Sequence, residues 1–225
     1  MTIQIEITRS LVTIIDNIDV EYAPLAWYAT KAGYAARTQS VDGRKKIIYL
    51  HRKILERKIG RPLSVGEICD HINRNTLDNR RENLRVATLS QSVHNTSKKN
   101  GAAFKGVFYS THHGFWSSKI MVNRISKHIG YFNSAEDAAR GYDYWAMILH
   151  KEFACLNFPD DKENTVTFWK KWLSESNRSV SGLKCVYRNG SKWAVRTTIN
   201  GKRIFLGNFD SPEEASDAYM ISILS

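Results

Sequence analysis

Cysteine is scarce in this chain of 225 residues. There are three, Cys69, Cys155 and Cys185, far apart and without a Cys-x-x-Cys pair. That spacing excludes a zinc ribbon and a disulfide framework, and it fits a reducing compartment. Long apolar runs are missing as well. No stretch approaches the roughly 20 residues of a membrane span. The segment Met1 to Ser10, with charges at Glu6 and Arg9, does not read as a secretory signal. Acidic residues are outnumbered: 22 Asp and Glu stand against 33 Lys and Arg, for a formal net charge of +11 and a pI near 9.6. This imbalance points to a polyanionic partner, because neutralising phosphates releases counterions. The basic residues recur through all segments, interleaved with Trp and Tyr, which fits groove or stacking surfaces better than a tail. At 42% hydrophobic and 24% charged residues, the chain has the composition of a soluble globular protein of one or two domains.

An internal repeat organises the C-terminal half. Phe104-Lys105-Gly106-Val107 matches Leu183-Lys184-Cys185-Val186, Trp116 matches Trp193, Gly130-Tyr131-Phe132 matches Gly207-Asn208-Phe209, and Tyr142 matches Tyr219. The Trp-to-Gly and Gly-to-Tyr gaps are equal in the two copies. Each copy reads as three strands and a helix. The first strands are 105–109 and 184–187, the second 116–122 and 193–199, and the third ends at Gly-x-Phe. Asn200-Gly201 is a hairpin signal. Ser211-Pro212-Glu213-Glu214 is a capping box with Pro at the first helical position, and Ser134-Ala135-Glu136-Asp137 is a weaker version. Ala138, Tyr142, Trp145 and Leu149 form an apolar core stripe. Between the copies, the middle of 160–181 (165–174) reads as a short helix that packs on a module or acts as a spacer.

The N-terminal third alternates short strands at 11–15, 27–30, 34–38 and 46–50, with Val41-Asp42-Gly43 as a hairpin turn, and then a helix at 51–60. It leads into Asp70-His71-Ile72-Asn73, followed by Asn83-Leu84-Arg85 and Asn95. Hydrolysing a phosphodiester needs an activated water, a cation and shielding of the leaving oxygen. His71 suits a general base, since its unperturbed pKa is near neutral. Asp70 lies on the other side of the strand, where a carboxylate can hold Mg²⁺ or a similar hard cation. Thr88-Leu89-Ser90-Gln91 is a capping box, so a helix starts at Leu89 and carries Thr88, Ser92 and Asn95 on one face. Asn95 is therefore the second candidate ligand. Asn83, ending the polar loop 73–82, can bond backbone groups across it and fix how His71 is presented. Leu84 and Val86 would be core, and Asp78 and Asn79 would make local turn bonds.

Asp70-His71-Ile72-Asn73, Leu77-Asp78-Asn79-Arg80, Glu82-Asn83-Leu84-Arg85 and Ala87-Thr88 resemble the HNH homing endonucleases of phages and mobile introns, as do Tyr34-Ala35-Ala36-Arg37 and Leu50-His51-Arg52. The repeats resemble the apetala/ethylene-response-factor DNA-binding domain, through Lys105-Gly106-Val107, the Trp, Gly-Tyr-Phe with Ser-Ala-Glu-Asp-Ala-Ala, and Leu156-Asn157-Phe158. The resemblance implies an α+β chain: a ββα-metal nuclease domain over 1–100, a first sheet-and-helix module over 101–159, a linker over 160–181, and a truncated second module over 182–225. It implies one Mg²⁺ or Mn²⁺ per active site, no structural zinc and double-stranded DNA as partner. It also implies action in the cytoplasm of a bacterial host if the gene is carried by a phage or mobile element. Two departures stand out. Ser92 occupies the place where the family usually has a metal-ligating asparagine, so Asn95 or Gln91 substitutes or the site is degenerate. Cys185 replaces the usual Gly of the second module.

On the modules, the DNA-contacting candidates are Lys105, Tyr109, Trp116, Lys119, Arg124 and Lys127 in the first copy. Lys184, Arg188, Trp193, Arg196, Lys202 and Arg203 are their counterparts in the second. Period two separates Trp116 from Lys119 and Trp193 from Arg196, and leaves open which face meets the helix. The expected activity is site-specific, metal-dependent endonucleolytic cleavage of duplex DNA, as a nick unless the chain dimerises. A DNA-binding regulator with an inactive HNH element is the alternative. The enzyme reading requires Asp70, His71 and Asn95 to converge on a cation-sized pocket open to a phosphate.

Overall fold

The computed structural model describes residues 1–98, 103–112, 114–175, 185–199 and 202–222. Lys184 and the Asn200-Gly201 turn lie outside them. The architecture is α+β, made of small antiparallel sheets with helices packed on them, in two compact units, Met1–Thr96 and Ser97–Ser225.

In the first unit, β1 (Thr2–Ile7) pairs with β2 (Leu11–Asp16). Strand β1, which the sequence reading did not place, alternates Ile3, Ile5 and Ile7, and of these Ile5 and Ile7 are buried. A second sheet orders β3 (Tyr28–Ala29), β4 (Ala35–Val41) and β5 (Arg44–Tyr49). The β4–β5 turn has φ of 51° at Asp42 and 72° at Gly43, the left-handed pair a two-residue hairpin needs. Helix α1 (Leu50–Ile59) buries Leu50, Ile54 and Leu55 on one stripe and ends at Gly60 with φ 71°. Strands β6 (Glu67–His71) and β7 (Leu84–Thr88) then form a hairpin, and α2 (Leu89–His94) follows. Leu84 is fully buried with Ile15, Leu50 and Ile54 in one core, and each such side chain contributes about 1.5–3 kcal/mol. Strand β2 also pins the long β6–β7 loop: Ile14 N–H donates to the Leu77 carbonyl at 2.9 Å and Asn79 N–H donates to the Ile14 carbonyl at 2.8 Å.

The second unit contains both repeats. Strands β8 (Val107–Ser110), β9 (Phe115–Val122) and β10 (Ile125–Phe132) form one sheet backed by α3 (Ala135–His150). Helix α4 (Lys162–Glu175) comes next. Strands β11 (Val186–Asn189), β12 (Lys192–Ile199) and β13 (Lys202–Phe209) form the other sheet, backed by α5 (Pro212–Ser222). The copies share fine geometry. Lys119 N–H donates to the Gly106 carbonyl and Arg196 N–H to the Cys185 carbonyl, both at 2.8 Å. A bulge interrupts the same strand pair in each sheet. The Ser134 and Ser211 hydroxyls accept from Asp137 and Glu214 N–H, so both caps form. Helix α4 is longer than its sequence suggests, and it is no spacer. Trp169 is fully buried, stacked on Tyr144 at 5.2 Å and on Trp172 at 4.9 Å, and edge-on to Trp145. One apolar core runs from Val107 and Ile120 through Trp145 and Trp169 to Val186, Val195 and Ala215.

Candidate active site and nucleic-acid interface

The β6–β7 register sets Asp70 opposite Arg85 and His71 opposite Leu84. His71 is oriented by a directional relay. Thr13 Oγ1 donates to the Leu77 carbonyl at 2.8 Å, so its oxygen is the acceptor for Asn79 Nδ2 at 2.7 Å. This turns Asn79 Oδ1 toward His71 Nε2 at 3.1 Å, and Nε2 must carry the proton. The lone pair is left on Nδ1. Burial of His71 lowers its pKa below the ordinary histidine value, opposed by the Asn79 bond and by the charges of Asp70 and Asp78. The ring is therefore neutral near pH 7 and can accept a proton there. Asn83 spans the loop from its far end: its Oδ1 accepts from Asn73 N–H at 2.9 Å and its Nδ2 donates to the Asp78 carbonyl at 2.7 Å.

Among the described residues Asp70 meets three partners. Arg85 Nε donates to Oδ2 at 2.9 Å, with Nη2 also 2.9 Å from that oxygen. Ser92 Oγ donates to Oδ1 at 2.8 Å, and Asn95 Nδ2 donates to Oδ2 at 3.1 Å and to the His71 carbonyl at 2.8 Å. Asn95 lies just past the helix: α2 ends at His94 and Asn95 is its C-cap, a correction to the expectation of a helix-face residue. Gln91 is engaged in the capping box with Thr88 instead of at Asp70. The expected convergence of Asp70, His71 and Asn95 is present, but the expected opening is not. Each is only 5% exposed: Arg85, Ser92 and Asn95 surround the Asp70 carboxylate, while Asn79, His51 and Tyr34 lie against the His71 ring.

Behind His71 stands an aromatic wall. The His51 ring lies 5.2 Å from it, with Tyr34 at 6.0 Å. Burial, reinforced by His71 and Arg52, pushes the His51 pKa down to about 3, and burial raises that of Tyr34. Asn79 and Arg85 are the site residues that sequence reasoning missed. Asn79 reads as a turn residue, and its partner Thr13 is remote in the chain. Arg85 could have been found by pairing the hairpin from its buried ends, which sets it across from Asp70.

A cation at Asp70 would be held by one carboxylate and neutral oxygens. Among the described residues no group of three or more His, Cys, Asp or Glu side chains gathers to bind a metal. The Ser92 hydroxyl, the Asn95 amide oxygen once the amide is turned, and the His71 carbonyl are hard donors, and a hard divalent cation accepts such a set when water completes it. The donor chemistry fits, with the Arg85 guanidinium as the competing charge.

On the modules, register settles which face meets the helices. In the first sheet Phe108, Ser117 and Tyr131 are cross-strand partners, and Lys119 pairs with His128 on the same open face. Lys119 Nζ lies 5.7 Å from the Phe108 ring centre. In the second sheet Arg196 pairs with Phe205 and Arg203 with Thr198, and the Arg196 guanidinium stands 5.7 Å from both Tyr187 and Phe205. Lys119, Arg196 and Arg203 are exposed there. The other candidates sit differently. Trp116 and Trp193 pack against the core on the helix side, with Tyr109 edge-on to Trp116 and Arg188 opposite Trp193. Lys127 pairs with buried Ile120, and Lys202 with Ile199. The Lys105 ammonium lies over Tyr142. Arg124, exposed with φ 64°, is in the β9–β10 turn. The period-two alternation carried Tyr109, Trp116, Lys127, Arg188, Trp193 and Lys202 to the helix side, which sequence alone left undecided.

Residues 48–94 match the HNH endonuclease family. An uncharacterised HNH endonuclease of Acanthamoeba polyphaga mimivirus is 33% identical over 133 residues, covering 58% of this chain and 66% of that protein. An AP2-like ethylene-responsive transcription factor of Arabidopsis thaliana is 23% identical over 174 residues, covering 64% of this chain and 31% of the factor. The chain thus spans just under two thirds of one relative and about a third of the other.

Proposed function

Residues 48–94 are an HNH endonuclease domain, and from that premise we propose that the chain is a metal-dependent endonuclease of the homing type that nicks duplex DNA. The observation that carries the reading is the Thr13–Asn79–His71 relay, which leaves a neutral imidazole with Nδ1 as its basic atom, on the strand residue next to Asp70. Nδ1 takes a proton from water as the oxygen attacks phosphorus, and the bond to the leaving sugar oxygen breaks as that oxygen takes a proton from a second solvent water. A divalent cation, when bound at Asp70 with Asn95 or Ser92, supplies charge neutralisation at the phosphate and the leaving oxygen. Asn83 braces the loop that presents His71. Lys119, Arg196 and Arg203 on the open sheet faces meet the duplex, arginine suiting guanine edges and lysine suiting phosphates.

The second reading, a DNA-binding regulator with a silent HNH element, is favoured by Ser92 and by the filled surroundings of Asp70. Supercoiled plasmids carrying candidate sites, incubated with Mg²⁺ or Mn²⁺, separate the two. The endonuclease gives nicked circles, and His71→Ala lowers the rate by about 10²–10⁴-fold. Tight binding with no nicking by either protein would support the regulator, and equal nicking by both would remove His71 as the base.

A further inference from the structure

We propose that Arg85 makes cation binding and nucleic-acid binding at this site mutually dependent. The proposal rests on the endonuclease reading for the identity of the cation, and it begins with what Asp70 presents to an incoming ion. Among the described residues, every group hydrogen-bonded to its carboxylate is a donor: Arg85 and Asn95 on Oδ2, and Ser92 on Oδ1. A cation needs lone pairs from its neighbours. Asn95 supplies one by turning its amide so that Oδ1 replaces Nδ2, and Ser92 supplies one by rotating its hydroxyl. Arg85 has no such option, because a guanidinium carries no acceptor and does not lose its proton in a protein. Cation and guanidinium therefore compete for the same carboxylate.

Arg85 is well placed to move between two anions. Cross-strand pairing keeps its backbone opposite Asp70, so the side chain cannot go far. Its side chain is 15% exposed, against 6% for that of Asp70, so it lies closer to solvent than the carboxylate it covers. A phosphodiester brought to the site offers an oxygen pair that a guanidinium binds in fork geometry. Once Arg85 turns to that phosphate, Asp70 is released for the cation, and a cation on Asp70 in turn frees Arg85 for phosphate. Coupling of this kind is reciprocal. Without nucleic acid, Arg85 occupies the carboxylate and the site takes up metal weakly.

The test is Mn²⁺ binding, followed by the paramagnetic signal of the free ion. The His71→Ala background keeps the probe, a mixed-sequence duplex at low salt, intact. Uptake is counted as the difference from the same protein carrying Asp70→Asn, which removes ions bound by the duplex or elsewhere. The expected result is that the duplex tightens Mn²⁺ binding by about tenfold or more. Arg85→Gln, without duplex, tightens it by a similar factor, and the duplex then adds less than about threefold. Arg85→Lys, which retains the positive charge, keeps the dependence on duplex. Unchanged or weaker Mn²⁺ affinity in a folded Arg85→Gln protein would overturn the proposal. If that variant does not fold, equal affinity with and without duplex in the parent protein would overturn it. Plasmid nicking without this coupling removes the role of Arg85 alone, whereas the coupling without nicking removes the endonuclease reading alone.

Discussion

Asn79 is fully buried and bonded on both sides, to His71 and to Thr13. It fixes the imidazole tautomer from a position closed to solvent. Asn79→Ala is therefore expected to lower the DNA-cleavage rate by about 10–100-fold with little change in DNA affinity, measured as single-turnover rate against binding. A stability prediction comes from His51. Its pKa is about 3 in the folded chain against about 6.5 unfolded. Below 6.5 the unfolded state binds the extra proton, so this contribution is complete above 6.5 and fades as pH falls toward 3. The slope is at most about 1.4 kcal/mol per pH unit. Urea denaturation between pH 7 and 4 should show it, and His51→Phe should flatten the dependence. The placement of Asp70 beside His71 and the bonds of Asn83 across the loop were legible, because both follow from one local motif. Asn79 and Arg85 were not, because the function of each depends on a residue across a loop or a strand.

At the scale of elements, capping and turn chemistry were the readable part. The Thr88, Ser134 and Ser211 caps form, and Asp42-Gly43 makes its turn, because these signals depend on residues within four positions. Close approaches between elements carry no such signature. Gly106 has φ +76°, and a Cβ there would stand 2.1 Å from the Tyr142 ring and 2.7 Å from the Lys119 carbonyl oxygen. Gly106→Ala should cost on the order of 2–4 kcal/mol, read from a urea midpoint, through backbone strain and displacement of Tyr142. The second copy has Cys185 at that place, so its strand enters under a different constraint. Nearby, Asn157 bonds both the N–H and the carbonyl of Lys105, while Asp143 accepts from the Asn157 and Phe158 N–H groups. That clip ties the segment after α3 to the start of the first sheet, and the sequence showed it only as the Leu156-Asn157-Phe158 motif.

For the second unit as a whole, the repeat was readable from matched spacings, but its consequence was not. A helix between two copies reads equally as tether or as core until its partners are known. Trp169 meets Tyr144 and Trp145 of α3, and the same apolar core reaches Val195 and Ala215 of the second copy. Trp169→Ala should therefore lower stability by about 3–5 kcal/mol. Both copies should lose their structure in one transition, seen as coincident fluorescence and circular dichroism melts. A joint that stiff has a geometric corollary for any duplex the two sheets grip together. The interval between the two stretches of DNA they cover would be set by protein and not by a flexible leash. Inserting half a helical turn between those stretches should then disrupt the complex as thoroughly as scrambling one of them.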